Sequence, residues 1–573
     1  MRRRGAGWLL DSVTIRRKDL LFASACVLLM LLKHMIASQL PIEARPSYRT
    51  DDLLMVMMTR NILRGEWLGT YSYGTLMKGC FYPLFLAGTY LSGISCLRAL
   101  DLLNSLAALY FTLQMKPVLR RRRWMLILFS VLAFNPVTSA ALTYQRIYRC
   151  SVTNMQTLFL FGSVIGIYLK KEDGFGRQMA RAVLSGITLW SMWNTREDAA
   201  WVLPFVLVAG AVILIGRLRE NRQRAAVICS VILFLTPFAL LLGGNAAIGA
   251  VNGLYYGKPI RNEASSEFGK MLRTMYSIKN TEEHEYVSVT AEKLQRMYAV
   301  SPTLRQIEPE MTQQLAFVDD GTDRVSGDGE VEDGWFFWCI RKALENSKLA
   351  PTLPEAEEYY RQVNLELEEA IQTPEIGFET QWTMPSALMS PWREEYAGKI
   401  LPMTADAFGY MISFEEVSAV PRAQRTEEAK MISLFEGITG DAAIYDGTHL
   451  SDYRQLYIRR ADFVASVYRA VNPVAAVISA VLFVGMAVMA LIRRMKEEIP
   501  WILVTAGMLL SVTVLLGGIA YTDMTAFGAI RYDYISGGYA LSLAFEWTVI
   551  LLSAERLGEM IRNRRGNHGR ERD

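Results

Sequence analysis

Apolar residues gather in runs of about 20, separated by short clusters of Arg and Lys, and one long polar block interrupts the series. A helix of about 20 apolar residues crosses a hydrocarbon core of roughly 30 Å. In lipid the backbone must pair within its own segment, which makes each run a predicted helix. Ten runs qualify: 20–40, 97–118, 124–144, 152–169, 182–193, 199–215, 225–242, 464–491, 499–520 and 537–552. The segment 79–95 is also apolar, and it is predicted to dip into the outer leaflet without crossing. Counting it as a span would place Arg120, Arg121, Arg122 and Arg123 outside, against the inward bias of basic loops. The predicted fold is mainly α, a polytopic membrane helical bundle of about ten spans.

The block between these runs, 252–463, reads as largely helical. Segments 291–298, 334–345, 354–371 and 423–435 show helical apolar spacing with charged opposite faces. Residues 319–333 form a Gly-rich acidic loop without the ligand order of a calcium-binding EF loop, so it is read as a solvated loop, with a bound cation as the other option. The division expected is a membrane module at 1–251, with a first external loop at 41–96, then a domain at 252–463 and a second membrane module with a basic tail at 464–573.

Charge turns this pattern into a sidedness. The chain of 573 residues carries a net +4, but residues 252–463 hold 21 Lys+Arg against 36 Asp+Glu, which is −15 and leaves +19 elsewhere. An acidic block between basic-flanked spans belongs outside the cell. Both termini are expected in the cytoplasm of a multi-pass cell-membrane protein, with 20–40 a retained anchor rather than a cleaved signal. A soluble cytosolic enzyme is excluded. No nucleic-acid partner is expected, because the basic residues sit beside apolar runs. Six cysteines make no disulfide framework; Cys80 and Cys96 could pair or stay free.

With that topology, the candidate chemistry falls on one face. Asp51-Asp52 follows the first span. Adjacent carboxylates suit a base that takes a proton from a hydroxyl, and their repulsion should raise one pKa. The simpler reading is that the first acid caps the next helix. Lys78 through Tyr82-Pro83 follows in the same loop. Asn194-Thr195-Arg196-Glu197-Asp198 lies between the fifth and sixth runs, either as a phosphate-binding turn or as an interfacial turn with an internal Arg–Asp pair. Arg146 and Arg149 precede the fourth run, and Arg531-Tyr532-Asp533-Tyr534 precedes the tenth. External arginines run against the charge bias, which favours an anion-binding role. The chain has no Walker loop, HExxH, GxSxG or CxxC.

These residues, in this order, resemble the C-type glycosyltransferases, a superfamily that includes protein O-mannosyltransferases, aminoarabinose transferases and oligosaccharyltransferase catalytic subunits. The matching series is Asp51-Asp52, Gly65-Glu66-Trp67, Lys78 to Tyr82-Pro83, Gly93 and Arg98, then Phe134-Asn135-Pro136, Thr195-Arg196 and Arg531-Tyr532. It covers roughly residues 15–215 with a weaker trace at 520–555. The block 252–463 matches nothing in that pattern.

The resemblance implies an inverting transferase of a hexosyl or pentosyl group from a polyprenyl-phosphate donor to an acceptor outside the cell. It makes Asp51 the base with Asp52 beside it as a second catalytic acid. Lys78, Arg196 and Arg531 would bind the donor phosphate, and Tyr82, Arg149, Glu197, Asp198 and Tyr532 are pocket candidates. Where many relatives carry a second external acid, this chain has Val152-Thr153-Asn154, which argues against a two-carboxylate metal site, and no cofactor is required. The implied partners are the bilayer, the lipid-linked sugar and the acceptor. The alternatives are a non-enzymatic scaffold of the cell envelope and a polysaccharide polymerase or ligase.

Overall fold

The apolar runs become helices because each can close its backbone bonds internally and turn its side chains to lipid or to neighbouring helices. The computed structural model describes residues 17–318, 329–422, 429–445, 448–495 and 498–570. The chain is a polytopic helical membrane protein. Its N-terminal helices are α1 (Arg17–Ala37), α2 (Asp52–Leu63), α3 (Phe81–Ser92), α4 (Cys96–Gln114), α5 (Arg122–Ala133), α6 (Thr153–Leu169), α7 (Phe175–Trp193), α8 (Leu203–Glu220) and α9 (Arg224–Tyr256). The central helices are α10 (Glu267–Ser277), α11 (Ala291–Val300), α12 (Pro302–Arg305), α13 (Glu308–Val318), α14 (Asp333–Ser347), α15 (Leu353–Gln372), α16 (Tyr396–Ile412) and α17 (Ala429–Thr439). The last three are α18 (Asp452–Ile492), α19 (Ile499–Thr525) and α20 (Ser536–Arg570).

Among the described residues eight helical segments are long and apolar enough to span a membrane: α1, α4, α6, α8, α9, α18, α19 and the first part of α20. Two of the ten expected runs are not among these eight. The predicted run 124–144 is not one helix. α5 stops at Ala133, and Pro136 lacks the N–H needed to continue it. Asn135 instead caps the short turn Pro136–Thr138, its Oδ1 accepting from Val137 N at 3.2 Å. Two further turns, Ala141–Gln145 and Arg149–Val152, carry the chain to α6. The run 182–193 belongs to a longer helix, α7, whose early turns hold Arg177, Gln178 and Arg181 and dilute its apolarity. The segment 79–95 forms α3, at 12 residues too short to span.

α4, α6, α7 and α9 pack side by side, and α19 and α20 close the bundle against α6, α5 and α18. The central block divides by packing. Residues of α10, α11, α14 and α15 bury one core around Phe268, Met297, Phe336 and Val363. α16 and α17 instead join the bundle's core through Ala407, Met411 and Phe435. Strand β1 (Ile42–Glu43) pairs in parallel with β2 (Ala443–Ile444), tying the first loop to the end of this block. Residues 319–328 of the acidic loop and 423–428 of the predicted helix at 423–435 lie outside the described residues. Among those described, no group of three or more His, Cys, Asp or Glu is placed to hold a metal ion.

Candidate functional site

Five loops meet at one end of the bundle. They precede α2, link α2 to α3, link α5 to α6, link α7 to α8, and link α19 to α20. The break after α5 is what brings the third of them in. Freed from a helix, residues 134–152 cross the bundle end, and the Arg146 backbone bridges to Glu43 of β1.

Arg146 is the centre of the arrangement. It is buried, and its Nε donates to Oδ1 and Oδ2 of Asp52 at 3.0 Å each, with Nη2 at 2.6 Å from Oδ2. Nη2 also reaches Asp51 Oδ2 at 3.3 Å, and Nη1 reaches Asp533 Oδ2 at 3.4 Å. One guanidinium therefore joins the start of α2 to the loop before α20. Such a fork fits a carboxylate better than an ammonium can.

Asp51 and Asp52 differ sharply. Asp52, the other acid expected to be catalytic, has no exposed surface, and its carboxylate is closed off by the Arg146 guanidinium. Burial, more than repulsion from its neighbour, pushes its carboxyl up. The Asp51 side chain is 26% exposed. Burial alone would raise its carboxyl too, but Lys78 and Arg146 outweigh this and hold it below the usual carboxylate range. Repulsion from Asp51 adds to the upward push on Asp52 but is smaller than burial, and no upward shift survives on Asp51. Asp51 stands at the N-terminus of α2 but makes no side-chain cap bond there.

Lys78 Nζ donates to Asp51 Oδ1 and, at 3.0 Å, to the Tyr148 hydroxyl. That hydroxyl also accepts from Arg149 Nη2 at 3.0 Å and donates to Asp51 Oδ1 at 3.0 Å. The Tyr148 ring faces three cations, with Arg146, Lys78 and Arg149 at 4.3, 5.0 and 5.2 Å from its centroid. Tyr148 was not singled out from the sequence. An Arg-x-Tyr-Arg run in an external loop is the signal that could have found it.

The Lys78 loop is held from beneath by the central block. Asn262 Nδ2 donates to Met77 O at 2.9 Å, and Glu263 N donates to Leu76 O at 3.0 Å. Arg341 of α14 donates to the carbonyls of Tyr73, at 2.7 Å, and Thr75, at 3.0 Å, and pairs with the buried Glu263. The Trp338 ring, one turn earlier, lies 5.7 Å from Lys78 Nζ.

The remaining predicted residues fall into two groups. Arg196 and Asp198 pair at 2.6 Å, the internal Arg–Asp pair that the sequence left as one option, and Arg149 and Glu197 pair across two loops at 2.7 Å. Arg149 Nε is buried without an acceptor. Arg196 Nη1 also donates to Asp533 O at 3.2 Å. Arg531 lies at the rim, 44% exposed, 3.0 Å from Asp533. Arg196 and Arg531 both face the Tyr534 ring at 5.5 Å. Two of the pocket candidates, Tyr82 and Tyr532, are buried. Tyr82 is fully buried against Phe85, behind the carboxylates, because its turn of α3 packs inward. Tyr532 is buried as well, its hydroxyl accepting from Leu142 N at 3.0 Å to pin the turn Ala141–Gln145.

Below the loops, Arg196, Asp198, Trp201, Leu515 and Tyr534 line a small cavity. Trp201 also heads an apolar groove between α6, α8 and α19, with about 750 Å³ of atom-free space, lined by residues such as Val164, Phe205, Val212 and Leu510. The polar cavity and the apolar groove thus share a wall.

No protein-family model and no curated protein matches the sequence. Two crystal structures of ArnT from Cupriavidus metallidurans are similar to it: one in the apo state (12% identity, TM-score 0.27) and one bound to undecaprenyl phosphate (11%, 0.24). Each alignment covers 94% of this chain and 77% of the other. Scores this low carry no inference about fold or activity.

Proposed function

We propose that the chain is an integral-membrane glycosyltransferase that moves a sugar from a polyprenyl-phosphate donor to an acceptor outside the cell, with inversion. The observation that carries the reading is the pairing of an apolar groove among the spans with a cluster of basic side chains and partly open carboxylates, Asp51 among them, at the same end of the bundle. A polyprenyl tail suits the groove, and its phosphate suits the Lys and Arg cluster.

The cluster holds Lys78, Arg146, Arg149, Arg196 and Arg531 against Asp51, Asp52, Glu197, Asp198 and Asp533, which is formally neutral. An incoming phosphate is therefore held by exchange of partners rather than by a net positive field. Lys78 is the cation for that exchange. As it turns to the phosphate, Asp51 loses its strongest partner and regains basicity. The acceptor hydroxyl oxygen then bonds to the anomeric carbon from the face opposite the phosphate. The carbon–oxygen bond to phosphate breaks, its electron pair leaves with the phosphate, and the hydroxyl proton passes to Asp51. Lys78, Arg149 and Arg196 stabilise the departing anion.

The test is to purify wild type and Asp51→Asn in detergent and follow release of polyprenyl phosphate from a panel of lipid-linked sugars. Wild type should turn over with at least one donor, and Asp51→Asn should lose about 10²–10⁴-fold of that rate. Unchanged turnover in the variant would remove Asp51 as base. No turnover with any donor would favour a scaffold role. Sidedness is tested in whole cells with an impermeant maleimide, which should label Lys348→Cys and not Arg222→Cys.

A further inference from the structure

We infer that α16 lies flat in the membrane–water interface on the site side of the bundle, with one flank against acyl chains. α16 packs along α19. Its Thr404 hydroxyl lies beside Gly517, and Met411 Sδ lies beside Gly538 of α20. α19 has 27 residues, so it is about 40 Å long and exceeds a hydrocarbon core of roughly 30 Å. Gly517 is eight residues from its end at Thr525, about 12 Å down the helix. A helix resting there is below the end of the span.

Aromatic groups mark the same level. Trp392, just before α16, stacks on Tyr521 with centroids 6.0 Å apart, and Tyr396 meets Tyr521 edge-on at 6.2 Å. Just beyond α16, Phe414 packs on Tyr468 of α18 at 5.4 Å and on Tyr539 of α20 at 4.9 Å. These rings are packed within the protein, and they tie both ends of α16 to the site-side ends of α19 and α20.

The helical wheel agrees. Tyr396, Thr404, Ala407 and Met411 form the buried face. The outward half divides in two. One flank carries Phe408, Leu401, Ile412 and Ala405, and Leu401 is 76% exposed. The other carries Glu395, Asp406 and Lys399, with Lys399 3.9 Å from Glu395. A helix bathed in water has no reason to separate its exposed side this way, whereas an interfacial helix does. The occupant is lipid rather than a second chain, because exposed apolar residues of α18, such as Phe463, Val467 and Val471, belong to the outward surface of an adjoining span. The consequence is mechanical. α16 ties the central block to the bilayer surface, so that Arg341 and Trp338 stay over the Lys78 loop.

The experiment places a nitroxide at Leu401→Cys or Asp406→Cys. Both are surface positions, and Cys229, the one native cysteine that is not buried, is replaced by Ser. Each protein is reconstituted into vesicles of phosphatidylethanolamine and phosphatidylglycerol, and collisions with oxygen and with a water-soluble nickel chelate are measured. The label at 401 should collide with oxygen several-fold more than with the chelate, and the label at 406 should show the reverse. Free access of the chelate to 401 would overturn the inference in favour of a water-facing helix. Shielding of 401 from both reagents would overturn it in favour of a protein partner.

Discussion

Arg146 and Asp52 form a fully buried fork, with three N–O contacts between 2.6 and 3.0 Å, and through it the loop after α5 is locked to the start of α2. Removing one member leaves the other charged and dry. Arg146→Ala should destabilise the folded protein by about 3–5 kcal/mol. Arg146→Lys should fall between, since an ammonium restores charge without the fork. Thermal unfolding in detergent measures both, and wild-type stability of the Arg146→Lys variant would show that the fork geometry contributes nothing.

Asp51 sets the pH behaviour. Its carboxyl is held low by Lys78 and Arg146, so it stays ionised throughout the neutral range. The stability it contributes is present above the ordinary carboxylate pKa of about 3.9 and is lost only as pH falls through the lower folded value. If Asp51 is the base of the proposed transfer, kcat/KM should therefore show no acid limb from this group between about pH 5 and 8. An acid limb in that window that disappears in Asp51→Glu would contradict the assignment.

Tyr148→Phe keeps the ring beneath three cations and deletes the hydroxyl that accepts from Lys78 and Arg149. Two buried donors lose an acceptor, a cost of about 1–3 kcal/mol. Turnover should drop about tenfold or more as Lys78 and Asp51 lose their shared partner. Wild-type turnover in this variant would reduce Tyr148 to packing.

Gly79 is required for close approach. A Cβ there would sit 2.0 Å from Asn194 O, a backbone atom that accepts from Phe81 N at 2.9 Å. Gly79→Ala must push the Lys78 loop away from the Arg196 loop, at about 1–3 kcal/mol. Weaker retention of polyprenyl phosphate, with a lower melting temperature, is the expected result.

Arg341 couples the central block to the site. Arg341→Ala strands the buried Glu263 and two loop carbonyls, and about 3–5 kcal/mol of stability should go with it. Arg341→Lys retains the charge but not the spread of donors. Its kcat should fall more than its melting temperature does, which separates positioning of Lys78 from folding.

The apolar runs determined the helices almost unaided, because lipid leaves the backbone no other way to pair. Even there, Pro136 was legible as a residue and not as an outcome: the run 124–144 reads as one span, yet its second half unwinds into the loop that carries Arg146, Tyr148 and Arg149. The sequence by itself also singled out the loops of Arg146, Arg149, Arg196 and Arg531, which stand out against the expected charge bias and which the fold brings together. Only the tertiary structure decided how those charges are shared. Asp51 and Asp52 are neighbours in sequence with the same chemistry, and packing leaves one partly open while sealing the other behind Arg146. Tyr82 and Tyr532 look like site residues and are core residues, because which side of a short helix or turn faces inward depends on what folds over it. The contribution of Arg341 and Glu263 lay beyond reach for a related reason. They sit about 270 and 190 residues, respectively, from the loop they hold, and no local pattern encodes a pairing at that separation.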